Sequence, residues 1–179
     1  MIIQEHNRNS IAFGRNFKVM SELNLGSPAP AFQVTMEDGT TVSNRTLAGN
    51  PAVLFFYPQD DSPTCTDEAI AFSTLAADFA ALGVALIGVS PDSLKSHAKF
   101  RAKRGLSVDL ASDELHSGIK AFGLWGEKTT FGRTYMGVER ATFLLDAEGR
   151  LQGIWRKVRI KNHARDVLDA AAQLTKARR

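Results

Sequence analysis

Apolar residues along this chain come in short runs, each bounded by Gly, Pro, Asp or Ser. The densest is Val53-Leu54-Phe55-Phe56-Tyr57, continuous and rich in aromatics, which predicts a strand buried on both faces. Val84 to Val89 predicts a second buried strand, broken by Pro91 and Asp92. Between them Ala69, Phe72, Leu75, Ala76 and Phe79 recur at helical spacing, and Gly83 closes that helix as a C′ glycine. Ser93 caps a polar helix running to about Arg104, with Gly105 after it. Ala31 to Met36 and Thr40 to Val42 flank Asp38-Gly39, a hairpin signal, and Asn44 to Ala48 make one helical turn.

Further on, Ser107 to Ala111 reads as a strand and Asp113 to Phe122 as a short helix. Gly123 to Gly137 reads as a Gly-rich loop, and a loop that long in a compact domain is usually functional or disordered. Ala141 to Leu145 and Leu151 to Val158 form a second hairpin about Asp146-Ala147-Glu148-Gly149, and a last amphipathic helix runs from Asn162 or His163 through Leu174. Helices between strands, with a closing hairpin and helix, predict an α/β fold: a central sheet flanked by helices on both faces. Residues 1–19 lack the apolar core of a secretory signal and read as an extension outside the fold. Residues 20–179 then form a single domain.

Composition narrows the class. Hydrophobic content of 44% and charged content of 23% are ordinary for a globular domain. No uncharged apolar run reaches the roughly 18 residues of a spanning helix, so no membrane segment is expected. The net charge of +3 is uneven, with nine Lys/Arg against two Asp from Arg150 to Arg179. No nucleic-acid motif accompanies that basic end, which reads as a solvated strand and helix face. A single cysteine excludes an internal disulfide and agrees with a reducing, cytoplasmic location.

That cysteine is the candidate chemistry. Pro58 and Pro63 bracket a polar turn, Gln59-Asp60-Asp61-Ser62, and Cys65 follows where a buried strand ends and a helix begins. Ser62 or Thr64 can cap the helix, and Asp67 and Glu68 are expected in its first turn. Unpaired N–H groups and the positive dipole end at such a start favour a thiolate over a thiol. A lone cysteine is otherwise most often a small buried apolar residue. The four histidines lack metal-ligand spacing, none neighbours Cys65 in sequence, and no G-x-S-x-G, Walker A loop or G-x-G-x-x-G is present.

The string FYPQDDSPTCTDEA resembles the active-site loop of peroxiredoxins, whose motif Pro-x-x-x-Thr/Ser-x-x-Cys, with a Glu three residues on, falls on Pro58, Ser62, Cys65 and Glu68. Within the family the chain is most similar to the bacterioferritin comigratory protein, or peroxiredoxin Q, group. The resemblance runs from about Leu25 to Leu174 and includes GSPAPAF, FGLWGEKTTFGRTYMGVERATFLLD and GRLQGIWRKV.

The resemblance implies a thioredoxin-like fold and a thiol peroxidase that reduces hydrogen peroxide and organic hydroperoxides without metal, flavin or haem. Cys65 would be the nucleophile. The Ser62 hydroxyl, where family members commonly have Thr, would bond sulfur and peroxide. Arg140 would lie beside the sulfur and Glu68 would orient it. Pro58 and Pro63 would shape and shield the loop, and the N–H groups of Thr64 and Cys65 would help hold the substrate. Trp125 and Tyr135 are candidates for a pocket wall or for core packing.

In much of the group a resolving cysteine lies five residues after the first; here that position is Ile70. A one-cysteine cycle follows, with an external thiol from thioredoxin or from glutathione and glutaredoxin, in a monomer or weak homodimer. The alternative from another class is a non-enzymatic peroxide sensor or holdase chaperone on the same fold.

Overall fold

The computed structural model describes residues 22–178, so the expected extension at residues 1–19 lies outside them. In chain order the elements are β1 (Gln33–Met36), β2 (Thr41–Ser43), α1 (Asn44–Leu47), β3 (Ala52–Phe56), α2 (Pro63–Thr74), α3 (Ala76–Ala81), β4 (Ala85–Ser90) and α4 (Leu94–Arg104). They continue as β5 (Asp109–Ser112), α5 (Ser117–Ala121), β6 (Trp125–Thr130), β7 (Arg133–Val138), β8 (Ala141–Leu145), β9 (Leu151–Arg156) and α6 (His163–Lys176).

Seven strands form one mixed sheet in the order β2-β1-β5-β4-β3-β8-β9. Strands β3, β4 and β5 run parallel, while β8 and β9 extend one side and β1 and β2 the other by antiparallel pairing. With helices on both faces, this is the expected thioredoxin-like α/β arrangement. Every residue of β3 is buried because the strand lies inside the sheet and both faces are covered. Successive side chains point to opposite faces. Val53, Phe55 and Tyr57 join the layer built from α2, α3, α4 and α6, and Leu54 and Phe56 join the layer containing Ile119 and Phe122.

The first layer is what positions α2. Phe72 stacks on Phe55 with ring centroids 4.4 Å apart, and burying each such ring stabilises the packing by about 1.5–3 kcal/mol. Gly88 is required beneath Phe55, since a Cβ there would lie 2.6 Å from the ring. On the far side of the layer, α6 buries Ala164, Val167, Leu168 and Ala171, an apolar stripe at helical spacing.

Two expectations are corrected. The single helix expected from the cysteine to Gly83 breaks at Leu75 into α2 and α3. Side chains compete with the backbone there: Thr74 Oγ1 donates back to the Ile70 carbonyl (2.9 Å) and Ser107 Oγ donates to the Ser73 carbonyl (2.9 Å). The expected loop at Gly123 to Gly137 is largely a hairpin of β6 and β7. Its turn, Phe131-Gly132, has φ of 49° and 74°, the left-handed two-residue turn that matches strand twist. Most of its side chains are exposed, so no apolar alternation marked the strands.

Candidate active site

Strand register brings the site together. Phe56 at the end of β3 pairs with Ala141 at the start of β8. Arg140, just before Ala141, therefore stands beside the point where the chain leaves β3 for the loop to α2. Its Nη2 donates to Cys65 Sγ at 3.1 Å although the two residues are 75 apart in sequence. Its Nη1 donates to Glu68 Oε2, which lies one turn along α2 from Cys65, on the same side. The planar guanidinium thus bridges sulfur and carboxylate, a geometry lysine cannot copy.

The loop is shaped from both ends. Tyr57 N–H donates to the Val89 carbonyl (3.0 Å), carrying the chain one residue past β3. Asp61 takes a φ of 59°, turning the chain into extended Ser62. Pro63 is the first residue of α2, where the missing N–H costs nothing. Cys65 is the third residue, so it sits in the first turn as expected, only 2% exposed.

Two local expectations differ. No acidic residue falls in the first turn: Glu68 is in the second, buried at 1% exposure. Ser62 is the N-cap residue, but its side chain makes no cap hydrogen bond and its hydroxyl donates to the Gln59 carbonyl (3.1 Å). Pro58 is half-buried at the start of this loop.

The charges of the site are set against burial. Burial pushes the Glu68 carboxyl up to about 7, against the Arg140 charge and hydrogen bond, which pull it down. Glu68 Oε1 is buried without a hydrogen-bond partner among the described residues. Burial also works against the Arg140 charge, but Glu68 and Cys65 outweigh it and hold the guanidinium protonated.

Beside Arg140 lies a cavity of about 450 Å³ whose lining includes Trp125, Lys128, Glu139 and Lys157. Trp125 walls that cavity, whereas Tyr135 is half-exposed on β7 and does not line it. His163, buried against Phe72 and Trp155, hydrogen-bonds Thr142 Oγ1 (2.8 Å). Burial lowers its pKa to about 4, so it stays neutral at physiological pH. His97 and Asp60, which no motif in the sequence singles out, meet in the buried layer behind the loop. The only cue was a histidine three residues from Phe100 in an otherwise polar helix.

A family model described as the AhpC/TSA family matches residues 25–154. Peroxiredoxin Bcp of Bacillus subtilis is 41% identical over 153 residues, covering 86% of this chain and 98% of that protein. The chain belongs to the peroxiredoxins, in the Bcp/peroxiredoxin Q group. Peroxiredoxin Bcp of Escherichia coli is 33% identical over 150 residues, covering 84% of this chain and 96% of its own. Among solved structures, peroxiredoxin Q of Xanthomonas campestris superimposes with a TM-score of 0.76 at 38% identity, covering 86% of this chain and 97% of that one. This peroxiredoxin is thus an enzyme, a thiol-based peroxidase working through a cysteine intermediate that an external thiol donor reduces. Among the described residues no helix is long and apolar enough to cross a membrane.

Proposed function

We propose that Cys65 reduces hydrogen peroxide and organic hydroperoxides with Arg140, Glu68, Ser62 and Pro58 as its supporting residues. The observation that carries this reading is the Arg140 guanidinium, shared between Cys65 Sγ and Glu68 Oε2. The Cys65 thiolate attacks one peroxide oxygen. The O–O bond breaks, an S–O bond forms, and the second oxygen leaves as water or alcohol after taking a proton. Arg140 has donors beyond the two already engaged, and these meet the charge that grows on the leaving oxygen. Glu68 holds the fork in plane. The Ser62 hydroxyl orients the peroxide, with the N–H groups of Thr64 and Cys65, and Pro58 and Pro63 keep bulk water from the sulfur.

The product is Cys65 sulfenic acid. An external thiol displaces water from it to give a mixed disulfide, and a second thiol releases Cys65. The donor is thioredoxin or the glutathione/glutaredoxin pair, in a cytoplasmic protein that works as a monomer or weak homodimer. Steady-state consumption of hydrogen peroxide and of an alkyl hydroperoxide, with each donor system in turn, tests the reading. Sustained turnover with one donor, lost in Cys65→Ser, is the expected result. A single stoichiometric oxidation that neither donor reverses would make the protein a sensor instead.

A further inference from the structure

Arg140 belongs to two places at once. Its guanidinium donates to Cys65 Sγ and to Glu68, and the residue also lines the cavity of about 450 Å³ described above. That volume falls within the roughly 300–1,000 Å³ of small-molecule sites and far exceeds what hydrogen peroxide needs.

The walls of the cavity carry charge. Glu139 is already held by Arg156, whose Nε (2.7 Å) and Nη2 (3.0 Å) grip its two oxygens. Lys128, Lys157 and Glu127 also line the cavity, and none of the three is in an ion pair among the described residues. Two cations and one anion therefore stand open to a ligand. The lining counts five charged residues and three glycines, which suits a zwitterion better than a long hydrocarbon tail.

The two lysines are placed by the fold. Lys128 is half-buried, and its stem lies across Gly137, where a Cβ would come within 3.1 Å of Lys128 Cδ. Lys157 takes a φ of 48°, a left-handed conformation that costs a residue with a Cβ and that clusters at functional sites. Val158 N–H donates to the Arg140 carbonyl (3.2 Å), so the turn that carries Lys157 is tied to the backbone of Arg140. Trp125, stacked on His116 with ring centroids 4.2 Å apart, supplies a flat wall. Residues 156–165 hold five Lys/Arg and no Asp or Glu, a positive approach for an anion.

We propose that this cavity docks the reducing thiol, and that the thiol is a small one of tripeptide size whose two carboxylates bind Lys128 and Lys157. Its ammonium group faces Glu127. A tripeptide spans about 10 Å at most, long enough to cross a cavity of this volume with its thiol at the Arg140 end. The thiol sulfur attacks the sulfenic sulfur of Cys65. An S–S bond forms, the S–O bond breaks, and the hydroxyl leaves as water with the proton of the thiol. A second thiol attacks the donor's sulfur in that mixed disulfide and frees Cys65 as a thiolate. The inference deepens the proposed function and rests on peroxide converting Cys65 to a sulfenic acid.

The test follows reduction of Cys65 sulfenic acid, made with one equivalent of hydrogen peroxide, by glutathione as the probe. Lys128→Gln and Lys157→Gln should each slow that step about threefold, and the double variant about tenfold. Glutathione diethyl ester keeps the thiol but loses both carboxylates. It should react with variants and wild type alike, to within about twofold, and so should uncharged dithiothreitol. Lys161→Gln, in the same basic segment but outside the cavity, should change the glutathione step by less than about twofold. Raising the ionic strength should slow the glutathione step in the wild type and leave the ester's rate unchanged.

Equal losses for glutathione and its ester, or no loss for either, would overturn the proposal. Variants that slow oxidation by a carboxylate-bearing hydroperoxide, with the glutathione step unchanged, would assign the cavity to the oxidant and overturn it too. S-methylglutathione has no thiol and judges the site without any turnover. It should shift the Trp125 indole resonance in the wild type and not in the double variant; no shift in the wild type would overturn the docking site. A wild type that forms no sulfenic acid would count against the proposed function instead.

Discussion

Replacing Glu68 by Gln separates the charge of the Glu68–Arg140 pair from its shape. Gln keeps the volume and an acceptor oxygen for Arg140 but cannot ionise. In the wild type burial raises the Glu68 carboxyl from 4.5 to about 7 despite the pull of Arg140. A carboxyl whose folded-state value lies above its unfolded value contributes stability that is whole below the unfolded value. That stability is lost as pH rises through the folded one. At about 1.4 kcal/mol per pH unit, the interval from 4.5 to about 7 is worth about 3 kcal/mol.

Between pH about 4 and about 8, the unfolding free energy of Glu68→Gln relative to wild type should therefore shift by about 3 kcal/mol in favour of the variant. Urea unfolding at a series of pH values measures this. Kinetics give a second reading. In the wild type, kcat/KM for peroxide should decline as pH falls through about 7, where Glu68 takes up a proton and Arg140 loses its charged partner. The variant lacks that limb and stays at the low-pH level throughout. A stability difference constant across the range, or an unchanged pH–rate limb, would refute the reasoning.

Removing the guanidinium in Arg140→Ala should slow peroxide reduction by about 10²–10³, as loss of a donor aimed at developing charge does, and Lys should restore only part of it. A competition assay for peroxide that finds Arg140→Ala near wild type would contradict the role of Arg140. Ser62→Ala should be slower by about tenfold, one hydrogen bond's worth, while Ser62→Thr matches or exceeds the wild type; equal rates for Ala and Ser would mean the hydroxyl is unused. Ile70→Cys restores a thiol five residues after Cys65, but Cα atoms so placed on an intact helix are about 8–9 Å apart, beyond the roughly 7 Å a disulfide spans. Oxidation of that variant should therefore form the disulfide together with a loss of helical circular dichroism, and a disulfide formed with α2 intact would show the reasoning wrong.

Features set by neighbouring residues were legible in the sequence. Strand β3 announced itself as a continuous apolar run, and α4 through its Ser93 cap and Gly105, whose φ is 62°. The position of Cys65 in the first turn of α2 also followed locally, from Pro63 and the hydroxyl before it. What depends on distant pairing was not legible from local pattern. Arg140 reaches Cys65 only because β8 pairs with β3 in one register, and only the family resemblance singled it out.

Glu68 looked like a first-turn charge because acidic residues favour that place; its burial on the inner side of α2 depends on the helix starting at Pro63. The β6–β7 hairpin escaped because its side chains face solvent, and Phe131 fills a left-handed turn position where Asn or Gly is the usual signal. His97 escaped because its partner Asp60 is 37 residues away, and nothing local distinguishes a buried histidine on a charged helix.

The central claim is a one-cysteine cycle at Cys65, and its product before any thiol arrives is the most direct thing to observe. Intact mass spectrometry after one equivalent of peroxide, with a sulfenic-acid trapping reagent and no added thiol, makes that observation. One trapped adduct per chain is expected, at Cys65, passing to the sulfinic form under excess peroxide. Rapid and complete conversion to a disulfide-linked dimer that is fully active on reduction would contradict it, because the second thiol would then come from another copy of the chain.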